Sequence, residues 1–140
     1  MERKCSNLPY LALMQTSKAV HDCMRVEIGK YHLSITEFSV LEVLYTLGKQ
    51  TIQQISNRIL ISSGSMTYVI DKLEQRGLLK RIPCPDDRRV IHVALTNDGN
   101  ESMEKVLPKH EKLVESIFAS LNNTEVERLV ELLRKVNVKN

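Results

Sequence analysis

From about residue 8 to residue 31, apolar side chains return every three or four positions. Tyr10, Leu13, Val20, Met24, Ile28 and Tyr31 share one face with Ser17, while Lys18, Asp22, Arg25 and Lys30 lie largely elsewhere. That period predicts an amphipathic helix. Ser34-Ile35-Thr36-Glu37 then reads as a capping box, in which the Ser34 hydroxyl accepts from the third helical N–H and Glu37 reaches back. The helix it opens holds Phe38, Leu41, Val43, Leu44, Tyr45 and Leu47 and stops at Gly48. Thr51-Ile52-Gln53-Gln54 is a second such box, opening a short helix with Ile52, Ile55 and Ile59. Leu60-Ile61-Ser62-Ser63-Gly64 interrupts it, and a further helix runs roughly from Ser63 to Arg76, capped by Ser62 or Ser63. Its inward face is Met66, Val69, Ile70 and Leu73, and Gly77 ends it.

The period then switches from helical to extended. Leu78–Ile82 and Val90–Leu95 predict two strands around the polar tip Pro83-Cys84-Pro85-Asp86-Asp87-Arg88-Arg89, a β-hairpin or wing. Both prolines sit at its margin, where a ladder N–H is not required. Thr96-Asn97-Asp98-Gly99 starts a long helix with Met103, Val106, Leu107, His110, Leu113, Val114, Ile117 and Leu121 on one stripe. Pro108 falls inside it and predicts a kink. Asn122-Asn123-Thr124-Glu125 caps a last helix with Val126, Leu129, Val130, Leu133 and Val136.

The fold class is therefore mainly α with a small β-wing. A winged helix-turn-helix over 33–96 is flanked by helical segments at 1–32 and 97–140. The compact module leaves both flanking apolar stripes uncovered. They predict a homodimer whose interface is built from the two ends of the chain.

Composition narrows the function classes. The chain of 140 residues has 20 basic and 17 acidic side chains, a formal net charge of +3 that permits nucleic-acid binding without requiring it. Two half-sites in a dimer would double a modest attraction to DNA. With no Trp and only 2 Phe, aromatic stacking platforms for single strands are not expected. No run approaches the roughly 18 apolar residues of a membrane span, and no apolar signal core follows the charged first residues. A cytoplasmic protein is expected. Cys5, Cys23 and Cys84 are widely spaced with no C-x-x-C, so neither a disulfide framework nor a zinc site is indicated, and Cys23 is expected to be packed. His21, His32, His92 and His110 lack metal-ligand spacing. No cofactor is implied, and no nucleophile with its base or phosphate-cradling Gly loop points to an enzyme.

Leu73-Glu74-Gln75-Arg76-Gly77-Leu78-Leu79-Lys80-Arg81 resembles the LE-x-x-G-L-[LIV]-x-R signature of MarR-family regulators. Asp86-Asp87-Arg88-Arg89, with Leu95-Thr96-Asn97-Asp98-Gly99, is similar to the family's D-x-R wing and L-T-x-x-G exit. The resemblance extends over nearly the whole chain. It implies a homodimeric transcription factor, usually a repressor, that binds a pseudo-palindromic operator in double-stranded DNA. Release would follow when a small ligand or an oxidant is sensed.

The residues themselves suggest the contacts. Recognition helices enter the major groove with their N-terminal half. Ser63, Ser65, Thr67 and Tyr68, with Lys72 and Gln75 further along, are the candidates. Arg88 at the wing tip suits a narrow minor groove, with Asp86 expected to orient it and Arg89 to meet phosphate or brace the wing. Lys80 and Arg81 suit backbone contacts or local salt bridges. For sensing, the family's thiol branch carries a reactive Cys near the start of the first helix. Ungapped, that position falls near Tyr10, and the two tyrosines that partner the Cys fall near Met14 and Met24. Cys5, beside Arg3 and Lys4, is the nearest thiol, and cationic neighbours favour a thiolate. The alternative is a pocket for an aromatic or phenolic ligand lined by Tyr10, Met14, Phe38, Tyr45 and His110. Two other functions compete: a protein-interaction module without sequence-specific DNA binding, and a thiol-dependent enzyme.

Overall fold

A computed structural model describes residues 7–59 and 63–137, with the Ser63 side chain left aside. Six helices form among the described residues: α1 Leu8–Gly29, α2 Ile35–Leu47, α3 Ile52–Ile59, α4 Ser63–Gln75, α5 Asn97–Ile117 and α6 Asn123–Lys135. Three strands accompany them: β1 Gln50–Thr51, β2 Leu79–Pro83 and β3 Ile91–Leu95.

Local capping chemistry sets several helix starts. Ser34 Oγ accepts from Glu37 N–H at 3.0 Å, and Glu37 Oε1 accepts from Ser34 N–H at 2.9 Å. Thr51 and Gln54 form the same reciprocal pair at 3.1 and 2.8 Å, as do Asn122 and Glu125 at 2.8 and 3.0 Å. Each box satisfies two N–H groups that a helix start leaves without a partner.

The hairpin β2–β3 is antiparallel, with Leu79 opposite Leu95 and Pro83 opposite Ile91. β1 adds to the other edge of β3, pairing Gln50 with Val93 and Thr51 with His92, so the sheet order is β1-β3-β2. Sequence reading missed β1, because two residues are too short for any period to register. β2 and β3 also begin one residue later than expected.

Residues up to Leu107 form one compact unit, and Pro108 onward forms a second. The first has a single apolar core. Val40, Leu41, Ile55, Met66, Ile70, Leu73, Leu79 and Val93 are fully enclosed, with Ile28 from α1 and Met103 and Val106 from α5. The core therefore reaches beyond 33–96 at both ends. In the second unit the end of α5 leads through a turn (Leu121 N–H to Phe118 C=O, 3.0 Å) into the capping box of α6. α5 continues through Pro108, which has no N–H to give the Glu104 carbonyl, and ends at Ile117 rather than reaching Leu121.

The α4–β2–α5 junction explains the two strongest sequence signatures. Gly77 has φ +75°, a left-handed conformation suited to glycine. Its N–H donates to Glu74 C=O at 2.9 Å, and Leu78 N–H donates to Leu73 C=O at 3.0 Å. This is a Schellman stop, and Leu73 and Leu78 meet in the core beneath it. At the far end of the hairpin, the Thr96 hydroxyl donates to Gly77 C=O at 2.5 Å and accepts from Gly99 N–H at 3.1 Å. Thr96 N–H donates to Leu78 C=O at 3.2 Å. The L-T-x-x-G exit thus fastens the start of α5 to the stop of α4.

Candidate nucleic-acid interface

The short α3 and the longer α4 form the helix-turn-helix, and β2–β3 forms the wing. Residues 60–62 between α3 and α4 lie outside the described residues, so the Ser62 cap and the Ser63 side-chain role are not assigned. α4 divides sharply. Met66, Ile70 and Leu73 are fully buried, whereas Ser65, Thr67, Tyr68, Lys72 and Gln75 are exposed. Ser65, Tyr68, Lys72 and Gln75 recur at helical spacing on one stripe. Thr67 heads an adjoining flank that continues through Asp71 and Glu74.

That flank meets the wing. Arg81 on β2 pairs with Asp71 and with Glu74, both at 2.5 Å, and keeps only 25% of its side chain exposed. The hydrogen bond to Asp71, with the carboxylate charges, pushes the Arg81 guanidinium further up from an already high pKa. Of the two roles expected for Arg81, the local salt bridge is the one formed. It ties α4 to the first wing strand, a partly buried, doubly held pair of the kind that stabilises by about 1 kcal/mol. Arg76 is likewise engaged: its Nη1 donates to His32 C=O at 2.7 Å and lies 3.5 Å from Glu37 Oε2. The His32 backbone, at φ +59°, turns its carbonyl into this contact at the α1–α2 junction. The sequence signal that could have separated these arginines was the pair Asp71 and Glu74 on one flank of α4.

Within α4 and the wing strands and tip, the cations presented outward are therefore Lys72, Lys80, Arg88 and Arg89. The Lys72 ammonium lies 4.9 Å from the centre of the Tyr68 ring, and hydrogen bonding to the Tyr68 side chain pushes its pKa up. This keeps the two side chains together on the exposed stripe. At the wing tip, the ion pair is Asp87 with Arg89 at 3.3 Å, and Asp87 also accepts from Arg89 N–H at 2.9 Å. Among the described residues Asp86 and Arg88 form no ion pair, so the expected Asp86–Arg88 contact is replaced by its neighbour. The cause is the turn in which Val90 N–H donates to Asp87 C=O at 3.1 Å, with Cys84 N–H closing onto Val90 C=O at 3.1 Å. The turn places Asp87 beneath Arg89 and leaves Arg88 outside.

The residues expected to sense a ligand differ in exposure. Phe38 is 4% exposed and is part of the core. Tyr10, Met14 and Tyr45 are exposed, at 62%, 51% and 40%. Phe38 packs among the core side chains of α2, which is apolar on most of its sides, so periodicity alone does not tell core from pocket. His110 is half-buried in the second unit. Cys5 lies outside the described residues, Cys84 is half-buried, and Cys23, expected to be packed, is exposed on α1. No described helix is long and apolar enough to cross a membrane. Among the described residues no three His, Cys, Asp or Glu side chains converge as a metal-binding group.

The sequence profile of the MarR family matches residues 33–91. The HTH-type transcriptional regulator MhqR of Bacillus subtilis is 40% identical over 129 residues, covering 92% of this chain and 89% of its own. Among solved structures, Bordetella bronchiseptica BpsR, described through regulation of its DNA binding by 6-hydroxynicotinic acid, is 30% identical. It superposes with a TM-score of 0.78 over 89% of this chain and 94% of that one. The fold of a mutant E. coli MarR solved with operator DNA is matched with a TM-score of 0.84 at 21% identity, over 99% of this chain and 100% of that one. With a capped helix-turn-helix, a wing fastened to it, and a 40% identical regulator matched along nearly its whole length, this chain belongs to the MarR family of winged-helix transcriptional regulators.

Proposed function

We propose that the protein is a cytoplasmic homodimeric repressor that binds a pseudo-palindromic operator and leaves it when a small aromatic ligand or an oxidant is sensed. The observation that supports DNA reading is the division of α4 into a buried apolar face and an exposed stripe of hydroxyl, amide and ammonium groups. In this reading Ser63, Ser65, Thr67 and Tyr68 meet base edges or phosphates in the major groove. Lys72 and Gln75 meet the backbone further along. Arg88 enters the minor groove, with Arg89, held by Asp87, bracing the wing beside it.

Dimerisation is supported by the apolar side chains left exposed near the start of α1 (Leu8, Tyr10, Leu11, Leu13, Met14) and along α6 (Val130, Leu132, Leu133). Monomeric soluble proteins rarely leave large contiguous apolar patches in water. Ligand release is supported by the 6-hydroxynicotinic acid response of BpsR, and oxidant sensing at Cys5 by its cationic neighbours.

A titration of the promoter duplex against a duplex keeping only one half-site tests the dimer. Two chains should bind the full site, and the half-site should bind at least about tenfold more weakly. One chain bound per duplex with equal affinity for both would overturn the proposal.

A further inference from the structure

The exposed stripe of α4 carries an aromatic ring at its centre. Tyr68 is 62% exposed, with Ser65 about one turn before it and Lys72 about one turn after. The other large apolar side chains of the helix go inward: Met66, Ile70 and Leu73 are in the core, and Val69 packs against it. Ser65, Lys72 and Gln75 are polar, so the Tyr68 ring is the apolar surface that this stripe presents. A ring held out in water gains free energy when a partner covers it.

Lys72 governs how the ring is presented. Its ammonium lies over the ring, 4.9 Å from the centre, where the π-face attracts a cation. It also donates to the Tyr68 hydroxyl. With a cation on one face and on the hydroxyl oxygen, the ring meets a partner through its other face and its edge.

Duplex DNA limits what that partner is. The base edges in the major groove are hydrogen-bonding groups, apart from the apolar C5-methyl group of thymine. We propose that Tyr68 is a specificity-determining residue that reads thymine through its C5-methyl group, with Lys72 holding the ring in place. The inference rests on the DNA-reading function proposed above and adds to it the base feature that Tyr68 distinguishes.

Deoxyuridine lacks only this methyl group and keeps the hydrogen-bonding edge of thymine, so a scan with it tests the assignment. Each thymine of the promoter duplex is replaced in turn, and affinities are measured by fluorescence anisotropy for the parent, Tyr68→Phe, Tyr68→Ser and Thr67→Ser. Both side chains are exposed, so circular dichroism should show the parent fold in every variant. At one or more thymines the parent should lose affinity about fourfold, the transfer free energy of a single methyl group. That loss should persist in Tyr68→Phe, which keeps the ring, and in Thr67→Ser, which removes the neighbouring side-chain methyl. It should vanish in Tyr68→Ser, which should bind the thymine and uracil duplexes alike at that position. A scan with no methyl-sensitive position, a sensitivity that survives in Tyr68→Ser, or one that disappears in Tyr68→Phe or Thr67→Ser overturns the assignment. Binding lost altogether in Tyr68→Ser overturns it as well, since a ring that meets one methyl in each half-site accounts for no such loss. A parent that binds no promoter even at low salt overturns the DNA-reading function and this inference with it. Promoter binding without methyl sensitivity overturns this inference alone.

Discussion

Gly99→Ala should destabilise the protein by about 3 kcal/mol or more, lowering the thermal midpoint by about 10 °C. A Cβ built at Gly99 would overlap the Leu78 carbonyl oxygen and fall 3.1 Å from its carbon and 3.2 Å from Leu95 Cδ2. The first two neighbours are backbone and cannot rotate away. Relief requires α5 to lift from the α4–β2 corner, which breaks the Thr96 bonds to Gly77 and Leu78 and opens the core around Met103. Differential scanning calorimetry measures this directly. A midpoint within about 2 °C of the parent would mean that the α5 start is not seated on Leu78.

The glycine was visible in the sequence as the last position of L-T-x-x-G, yet its reason was not. Local chemistry was legible: the Ser34–Glu37, Thr51–Gln54 and Asn122–Glu125 boxes depend on residues three apart, and each formed. The buried face of α4 followed from its period. What could not be read depended on contacts between distant segments or on turn geometry. Arg76 reaches His32, Arg81 reaches back across Gly77 to Asp71, and both would otherwise count toward the DNA-facing charge. The wing turn chose Asp87 and Arg89 over Asp86 and Arg88, a one-residue difference that composition does not encode. Phe38 entered the core because α2 has several apolar sides and only packing decides which is innermost.

Arg88→Ala should weaken operator binding about tenfold for each wing, and thus about a hundredfold for a dimer whose two wings act independently. Arg88 is exposed at the wing tip with no ion pair among the described residues, so its charge has no local competitor to leave behind. In a narrow minor groove the negative potential is strongest, and a guanidinium there meets it without a large loss of hydration. Arg89→Ala should cost less, because Arg89 is held by Asp87 at 3.3 Å. The wing is exposed in both cases, so circular dichroism should show the parent fold. Fluorescence anisotropy with the promoter duplex separates the two variants. An Arg88→Ala affinity within twofold of the parent, or a larger loss in Arg89→Ala, would move the minor-groove contact away from Arg88.

If the exposed stripe of α4 and the wing read DNA together, this chain distinguishes one DNA sequence from others. The most direct test is a titration of the protein's own promoter duplex and a scrambled duplex of equal composition across a range of salt concentrations. The promoter should be preferred by about a thousandfold or more, with both affinities falling as salt rises because phosphate contacts release counterions. Equal affinity for the two duplexes at every salt concentration, or no binding to either at low salt, would contradict it.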